Sequence, residues 1–260
     1  MTLNSEFQSL YKRWREKADQ YNTEDLYQLF DKFFSLYVLY NALYVEAAAY
    51  LRRKAISEGT EVYKLNNDQF PDKEAAIHYV VAFLKSRSLL NMIESHPATK
   101  EALEQLKAFM NEENSIRLWI CLDPVWGEPQ KEKDKELYRK LNSPSTDERA
   151  KAILTVIYQV RCNMFHGRKS VRPVQKELLI PIVTILEKVV DKLYEKLKNV
   201  GYVPESAREE TPQRTTFHKA LLASGLVKQL KQPSNSQPTE RRLIQVQGKP
   251  VSETIIEERR

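Results

Sequence analysis

The glycines of this chain lie between its hydrophobic patterns and not inside them. Only six occur in 260 residues, and each falls in a short stretch that separates two segments of helical periodicity. The positions are Gly59, Gly127, Gly167, Gly201, Gly225 and Gly248. Because glycine destabilises a helix interior by roughly 1 kcal/mol relative to alanine, this placement is typical of long helices joined by short turns. The sequence therefore predicts an all-α fold.

Apolar residues that recur every three to four positions predict where those helices run. The predicted ranges are Leu3 to about Tyr21, Glu24–Ser57, Asp72 to about Ile93, Pro97–Asn111, Ala150–Phe165 and Pro173 to about Asn199. Residues 145–148 (Ser-Thr-Asp-Glu) give a helix-start signal for the fifth of these. The charged run Lys131–Lys135 alternates in sign, which indicates a solvated helix face in an insertion. Asp123–Gly127 belongs to the same insertion.

The second predicted helix carries an aromatic stripe that we expect to face the core. Its members are Phe30, Phe33, Phe34, Tyr37, Asn41, Tyr44 and Ala48. Asn41 is the polar member of this stripe. A buried amide is tolerated only when it finds hydrogen-bond partners, so we expect Asn41 to be hydrogen-bonded inside the bundle.

The character of the sequence changes after Gly201. Residues 201–216 lack periodicity and suggest a linker. Residues 217–230 fit a short amphipathic helix, and residues 243–256 fit a marginal hairpin. We therefore expect a helical domain over residues 1–200 and a partly ordered extension over residues 201–260.

Charge and cysteine content limit the class of protein only mildly. The net charge of +6 and a pI near 9.1 permit an anionic partner such as RNA without requiring one. Cys121 and Cys162 form no disulfide framework, and Cys162 is expected to be a free buried thiol. The opening residues show no leader pattern, and no apolar run approaches the roughly 20 residues that span a bilayer. We expect a cytoplasmic protein without a membrane partner.

The segment with the most chemical content lies at the end of the fifth predicted helix. One apolar stripe there contains Ala150, Leu154, Ile157, Arg161, Met164 and Phe165. Arg161 therefore falls on the buried or interface face, where a permanent cation needs an anion or other acceptors. His166 lies about 140° further round an ideal helix. The two side chains converge if the helix ends at His166, as Gly167 suggests, or if a two-fold axis brings a second copy alongside.

These residue types suit the cleavage of RNA. Imidazole has an ordinary pKa near 6.5 and transfers protons at neutral pH, while a guanidinium stabilises a charged phosphate. That chemistry needs no metal, and the scattered histidines and carboxylates form no metal set, so no cofactor is expected. Arg168, Lys169 and Arg172 are candidates for binding flanking phosphates. By spacing alone, an alternative is a helix-capping histidine and an arginine paired with a carboxylate.

Two segments resemble the HEPN domains, a helical superfamily associated with ribonucleases of prokaryotic conflict systems. Residues 160–167 (Val-Arg-Cys-Asn-Met-Phe-His-Gly) resemble the family's R-x4-6-H motif. Residues 33–44, aromatic-rich and ending in Asn-Ala-Leu-Tyr, resemble the second helix of many of its members. The motifs occur in the expected order and each on the expected kind of helix. The resemblance covers about residues 1–200.

The resemblance implies a helical bundle that forms homodimers and cuts RNA without metal in a cleft between subunits. By position, Arg161 and His166 are then the catalytic pair, Asn163 matches a polar position inside the motif, and Asn41 is a supporting amide. The family also implies a toxin or defence effector, with a cognate antitoxin of the nucleotidyltransferase type as a candidate partner.

One position departs from the family pattern and keeps an alternative open. The residue after the arginine is often Asn, Asp or His in HEPN domains, and here it is Cys162. HEPN domains without catalysis also exist as binding modules. The leading hypothesis is an endoribonuclease; the alternatives are a non-catalytic module that binds RNA, a nucleotide or a protein, and a helical scaffold.

Overall fold

The structure is a computed structural model, and it describes residues 5–59, 71–111, 120–123, 126–165 and 175–200. These residues form helices joined by turns, with an isolated antiparallel bridge between Leu122 and Pro129. The prediction of an all-α fold is confirmed. None of the helices in the described ranges combines the length and the apolar character that crossing a bilayer requires.

The described helices follow the predicted order. They are α1 (Ser5–Asp19), α2 (Leu26–Ser57), α3 (Asp72–Glu74, a π-helical turn Ala75–Tyr79, and Val80–Leu84), α4 (Ser86–Ser95), α5 (Pro97–Met110), α6 (Lys131–Leu141), α7 (Thr146–Phe165) and α8 (Gln175–Asn199). The start signal predicted at residues 145–148 acts as expected, and α2 also begins with a side-chain cap. Asp25 accepts a hydrogen bond from the backbone N–H of Gln28, and the hydroxyl of Ser145 accepts one from the backbone N–H of Glu148.

The longest helix, α2, is the centre of the bundle. Its 32 residues span roughly 48 Å at 1.5 Å per residue, and it packs against α1, α3 and α8. The core that they enclose is made of apolar side chains from both α2 and α8. Fully buried members include Leu29, Phe33, Leu36 and Tyr40 of α2 and Ile182, Leu186 and Val189 of α8.

The predicted third helix is interrupted, so the expected continuous range Asp72 to Ile93 is wrong. Lys85 has φ of 71° and separates α3 from α4. Its N–H still closes the last turn of α3 on the carbonyl of Val81, and its own carbonyl accepts from Leu89 in α4. The helix is interrupted there without glycine or proline, so no residue in the sequence predicts the break.

The charged run at residues 131–135 is the first part of a helix, α6, which continues to Leu141. Its charged side chains are mostly exposed, as a solvated face should be, while Leu137 and Leu141 face the core. The sequence identified the face but not the length of the helix, because the apolar residues begin only at its seventh position, Leu137.

The aromatic stripe predicted on α2 is only partly correct. Phe33, Tyr37, Tyr44 and Ala48 are buried and Phe30 is half-buried, but Phe34 and Asn41 are exposed. The reason is that α2 is apolar around most of its circumference, and its neighbours cover only part of it. Asn41 is therefore not the buried, hydrogen-bonded amide that the stripe predicted.

Some predictions fall outside the described residues. These are the linker, the short helix and the hairpin expected over residues 201–260. The start of the last helix at Pro173 also lies outside them, and α8 is described from Gln175.

Candidate functional site

Only part of the predicted site lies in the described residues. Arg161 and Asn163 lie near the end of α7, and Asn41 lies on α2. His166 and the predicted phosphate-binding residues Arg168, Lys169 and Arg172 lie outside the described ranges. The geometry of the site is therefore that of Arg161 and its surroundings.

Arg161 lies among aromatic rings in the gap between α7 and α2. Its side chain keeps 24% of its exposure, so it is half-buried, whereas Ala150, Leu154 and Ile157 of the same stripe are buried. The guanidinium carbon lies 5.3 Å from the ring centroid of Tyr37 and 5.9 Å from that of Tyr158. A cation over ring faces is attracted by their quadrupoles, by roughly 0.5–2 kcal/mol depending on solvation. The rings hold the arginine without neutralising it.

Asp72, the first residue of α3, supplies a carboxylate to the same cluster. One guanidinium nitrogen of Arg161 lies 3.7 Å from Asp72 Oδ2. That oxygen also accepts a 3.1 Å hydrogen bond from the Tyr158 hydroxyl, and Oδ1 accepts one from Tyr44. The negative charge of Asp72 is thus shared with two hydroxyl donors, and its ion pair with Arg161 is long.

The protonation states in this cluster are well defined at neutral pH. Burial raises the pKa of Tyr37, an effect that Arg161 opposes. Burial also raises the pKa of Tyr158, and Cys162 and Asp72 add to it. For Arg161, burial lowers the pKa, but Tyr37, Cys162 and Asp72 together outweigh it, so the pKa ends above its ordinary value. Both tyrosines are neutral, Tyr158 donates a hydrogen bond to Asp72, and Arg161 is a permanent cation.

The cysteine inside the motif is free and half-buried, so the expectation of a buried thiol is only partly correct. The Cys162 sulfur lies 3.9 Å from the guanidinium of Arg161, which makes it a weak acceptor for that donor. The other cysteine, Cys121, is also free and half-buried. Burial, with Asp134 adding to it, raises the pKa of the Cys121 thiol to about 12, so this thiol is protonated at neutral pH.

Asn163 is buried and serves the packing of α7. Its amide nitrogen donates a 2.8 Å hydrogen bond to the carbonyl of Ile120, and its amide oxygen accepts from Gln159 at 3.4 Å. These bonds tie the segment 120–123 to the last turns of α7. A role for Asn163 at the site is thus one of positioning.

A groove of about 950 Å³ runs alongside the motif, between α3, α6 and α7. Cys162 and Asn163 form part of its wall. Four lysines line it: Lys73, Lys133, Lys140 and Lys151. Lys140 is paired with Glu136 and Lys151 with Asp147, whereas Lys73 and Lys133 have no ion-pair partner within the described ranges. The groove therefore places two available cations beside the motif.

The sequence did not point to Tyr37, Tyr158 or Asp72 as site residues. Tyr37 was assigned to the core and Asp72 to a helix start, and Tyr158 carried no signal. Asp72 and Tyr158 lie 86 positions apart, and no local pattern predicts that they meet. They could have been found only from the way α3 packs on α7.

No known protein family, characterised protein or solved structure matches this chain. What the fold and the site define is a helical bundle with a half-buried arginine held among tyrosines at the end of one helix. The resemblance to HEPN domains continues to depend on the two sequence motifs.

Proposed function

We propose that this protein is a metal-independent endoribonuclease of the HEPN type, with Arg161 and His166 as its catalytic pair. The observation that supports the proposal is the state of Arg161. It is charged, held in place by aromatic rings, and still partly open to solvent near the end of α7. A preorganised cation of this kind stabilises charge that develops on a phosphate.

In the proposed reaction, the 2′-hydroxyl oxygen of one nucleotide attacks its own 3′-phosphate. His166 accepts the hydroxyl proton, and Arg161 stabilises the additional negative charge on the phosphate oxygens. The bond between phosphorus and the 5′-oxygen of the next nucleotide then breaks, and a protonated imidazole donates a proton to that oxygen. The products are a 2′,3′-cyclic phosphate and a 5′-hydroxyl end.

The groove beside the motif supports a path for the flanking RNA. Lys73 and Lys133 lie on its walls, and Cys162 and Asn163 at its edge connect it to α7. Each phosphate that a lysine neutralises releases counterions, so binding in this groove weakens with salt. Arg168, Lys169 and Arg172 follow the motif directly in the sequence and are the proposed ligands of flanking phosphates.

The proposal includes a biological context and partners. The chain acts as a homodimer and serves as a toxin or defence effector. A nucleotidyltransferase-like antitoxin is its proposed cognate partner. These statements follow from the family resemblance and need tests of their own.

The alternative is a HEPN-like module that binds RNA, a nucleotide or a protein without cutting RNA. Two observations favour it. Arg161 interacts with Asp72, as an arginine with a structural role does, and a weakly hydrogen-bonding thiol, Cys162, occupies the position after it. A scaffold with no ligand at this site is the third hypothesis.

Cleavage of labelled single-stranded RNA by the full chain in EDTA separates these functions. We expect fragments with cyclic-phosphate ends, and we expect the His166→Ala variant to form none. His96→Ala is the matched control, since His96 is exposed between α4 and α5. Tight binding of intact RNA would favour the binding module. Neither binding nor cleavage, from a monomeric protein, would favour the scaffold.

A further inference from the structure

One face of α2 carries exposed apolar side chains. Seven large hydrophobic side chains are exposed in the described ranges, and four of them lie on this helix. Tyr27 is 70% exposed, Phe34 41%, Val45 37% and Ile56 59%. At 100° per residue these four positions fall within roughly 20° of one line along the helix. They form a single exposed stripe, separate from the face that packs on α8.

The stripe continues through residues between these four. We define the outer seam of α2 as Tyr27, Asp31, Phe34, Val38, Asn41, Val45, Ala49, Arg52 and Ile56. All nine side chains are exposed or half-buried. Their spacing alternates between four and three residues, as in a helix that packs along a partner helix, except for one four-residue step at the centre.

The outer seam is complementary to a reversed copy of itself. Residues that lie equally far from the midpoint between Asn41 and Ala42 match in character. Tyr27 corresponds to Ile56, Asp31 to Arg52, Phe34 to Ala49, and Val38 to Val45. We infer that a second copy of this chain packs antiparallel along the outer seam, with a two-fold axis between Asn41 and Ala42.

Charge decides between the two directions of packing. Asp31 and Arg52 are exposed, and neither has an ion-pair partner among the described residues. Antiparallel packing sets each of them opposite its counter-charge on the second copy, twice per dimer. Parallel packing sets Asp31 against Asp31 and Arg52 against Arg52, which is unfavourable at an interface.

The exposed amide of Asn41 has a role in this arrangement. It lies next to the two-fold axis, so the two Asn41 side chains of the dimer approach each other at the centre of an apolar seam. A polar residue at one seam position fixes register, because any shift leaves its amide against apolar groups. Asn41 thus specifies which residues pair.

The arrangement also brings the two candidate sites onto one side of the dimer. Tyr37, which contacts Arg161, lies on α2 just beside the seam. The two-fold axis is perpendicular to the plane of the two helices. Rotation about it does not change which side of that plane a group lies on, so both Tyr37–Arg161 clusters lie on the same side. With about 9 Å between helix axes, the two Tyr37 positions lie roughly 16 Å apart. This inference names the dimer surface on which the proposed nuclease depends.

Charge reversal tests the seam through the mass of the full chain in solution. We expect the wild-type protein to be a dimer by light scattering after size exclusion. Asp31→Arg and Arg52→Asp should each raise the dimer dissociation constant by more than about tenfold, since each sets like charges opposite one another twice. The Asp31→Arg, Arg52→Asp double variant should restore the dimer. Arg87→Asp, an exposed site on α4, is the matched control.

Mixing provides a second measurement that does not depend on the double variant folding. Equal amounts of the Asp31→Arg and Arg52→Asp proteins should form a heterodimer, because one chain presents two cations and the other two anions. A monomeric wild-type protein would overturn the inference and leave the seam to another occupant, such as residues 201–260. Single variants that remain fully dimeric would overturn it as well. The experiment measures mass and not cleavage. A protein that dimerises through the outer seam but does not cut RNA would therefore contradict the proposed nuclease and support the proposed interface.

Discussion

Arg15 on α1 and Arg161 on α7 are almost equally exposed, at 22% and 24%, yet their surroundings differ. Arg15 has three carboxylates within 3.3 Å, those of Asp19, Glu187 and Asp191. Two of these belong to α8, so Arg15 joins α1 to the helix that forms much of the core. Its charge is balanced by the protein itself.

Arg161 is held mainly by polarisable rings. Its ion pair with Asp72, at 3.7 Å, is longer than any of the three that Arg15 makes, and Asp72 also accepts hydrogen bonds from Tyr44 and Tyr158. The comparison separates an arginine that joins two helices through three close carboxylates from one that lies against two aromatic rings and a more distant carboxylate. Burial alone does not distinguish them; the carboxylates around them do.

The largest expected difference between the two arginines is in catalysis. Arg161→Ala should lower the rate of RNA cleavage by about a hundredfold or more, as removal of one charge-stabilising donor does. Arg15→Ala should leave the rate per folded molecule within about twofold, since Arg15 makes its ion pairs inside the bundle. Single-turnover cleavage assays measure both. Equal losses of cleavage rate in the two variants would mean that Arg161 has no special role in catalysis.

The order reverses for stability. Arg15→Ala should lower the free energy of unfolding by about 2 kcal/mol, because it leaves half-buried Asp191 without its cation and leaves Glu187 with the longer 3.8 Å pair to Lys32. Arg161→Ala should lower the free energy of unfolding by less than about 1 kcal/mol, because Tyr44 and Tyr158 still donate hydrogen bonds to Asp72. Urea denaturation followed by circular dichroism gives both values. A large loss for Arg161→Ala would indicate a structural ion pair.

The carboxylate beside Arg161 offers a sharper test. Asp72→Asn keeps the shape of the side chain and removes its charge, so the guanidinium should attract phosphate more strongly. We expect RNA to bind roughly fivefold more tightly, equivalent to about 1 kcal/mol near a protein surface. The measurement is fluorescence anisotropy with labelled RNA at fixed salt. Unchanged affinity would mean that phosphate does not approach Arg161.

The smallest expected effects come from one tyrosine beside Arg15 and one beside Arg161. Tyr11 donates to Asp191 beside Arg15, and Tyr158 donates to Asp72. Each Tyr→Phe change should cost about 1 kcal/mol at pH 8. Burial, followed by Asp191, raises the pKa of Tyr11, and burial, followed by Cys162, raises that of Tyr158.

A tyrosine whose pKa is raised by folding stabilises the fold below its unfolded pKa near 10. That contribution is lost as the pH rises through the folded value. The difference in free energy of unfolding between the wild type and each phenylalanine variant should therefore decrease from pH 10 to pH 11, by up to about 1.4 kcal/mol per pH unit. Denaturant titrations at the two pH values measure it. A constant gap would mean that folding does not shift these tyrosines.

The sequence predicted the helices well because their signals are local. Caps such as Asp25 and Ser145 lie next to the turns that they stabilise, and the predicted helix ends are correct to within a few residues. The break at Lys85 was missed because lysine gives no local signal for a positive φ. The exposed side of α2 was also missed, because hydrophobicity alone cannot say which side of a helix that is apolar nearly all round stays exposed.

The candidate site was predictable only in part. The spacing along α7 placed Arg161 on the buried or interface face, and its side chain is half-buried in the structure. The partners Tyr37 and Asp72 come from helices far away in the chain, so their approach depends on packing. Asn41 was assigned to the wrong environment for the same reason.

The π-helical turn Ala75–Tyr79 bears on how this fold tolerates changes in length. Such a turn accommodates one residue more than an α-helical turn does, without disturbing the phase of the helix on either side. Loss of exposed His78 would let α3 close as an ordinary helix, with Asp72 still opposite Arg161. The same deletion in the middle of α7 would turn Arg161 about 100° away from its partners. Related chains are thus free to differ by a residue in one helix of the site and not in the other.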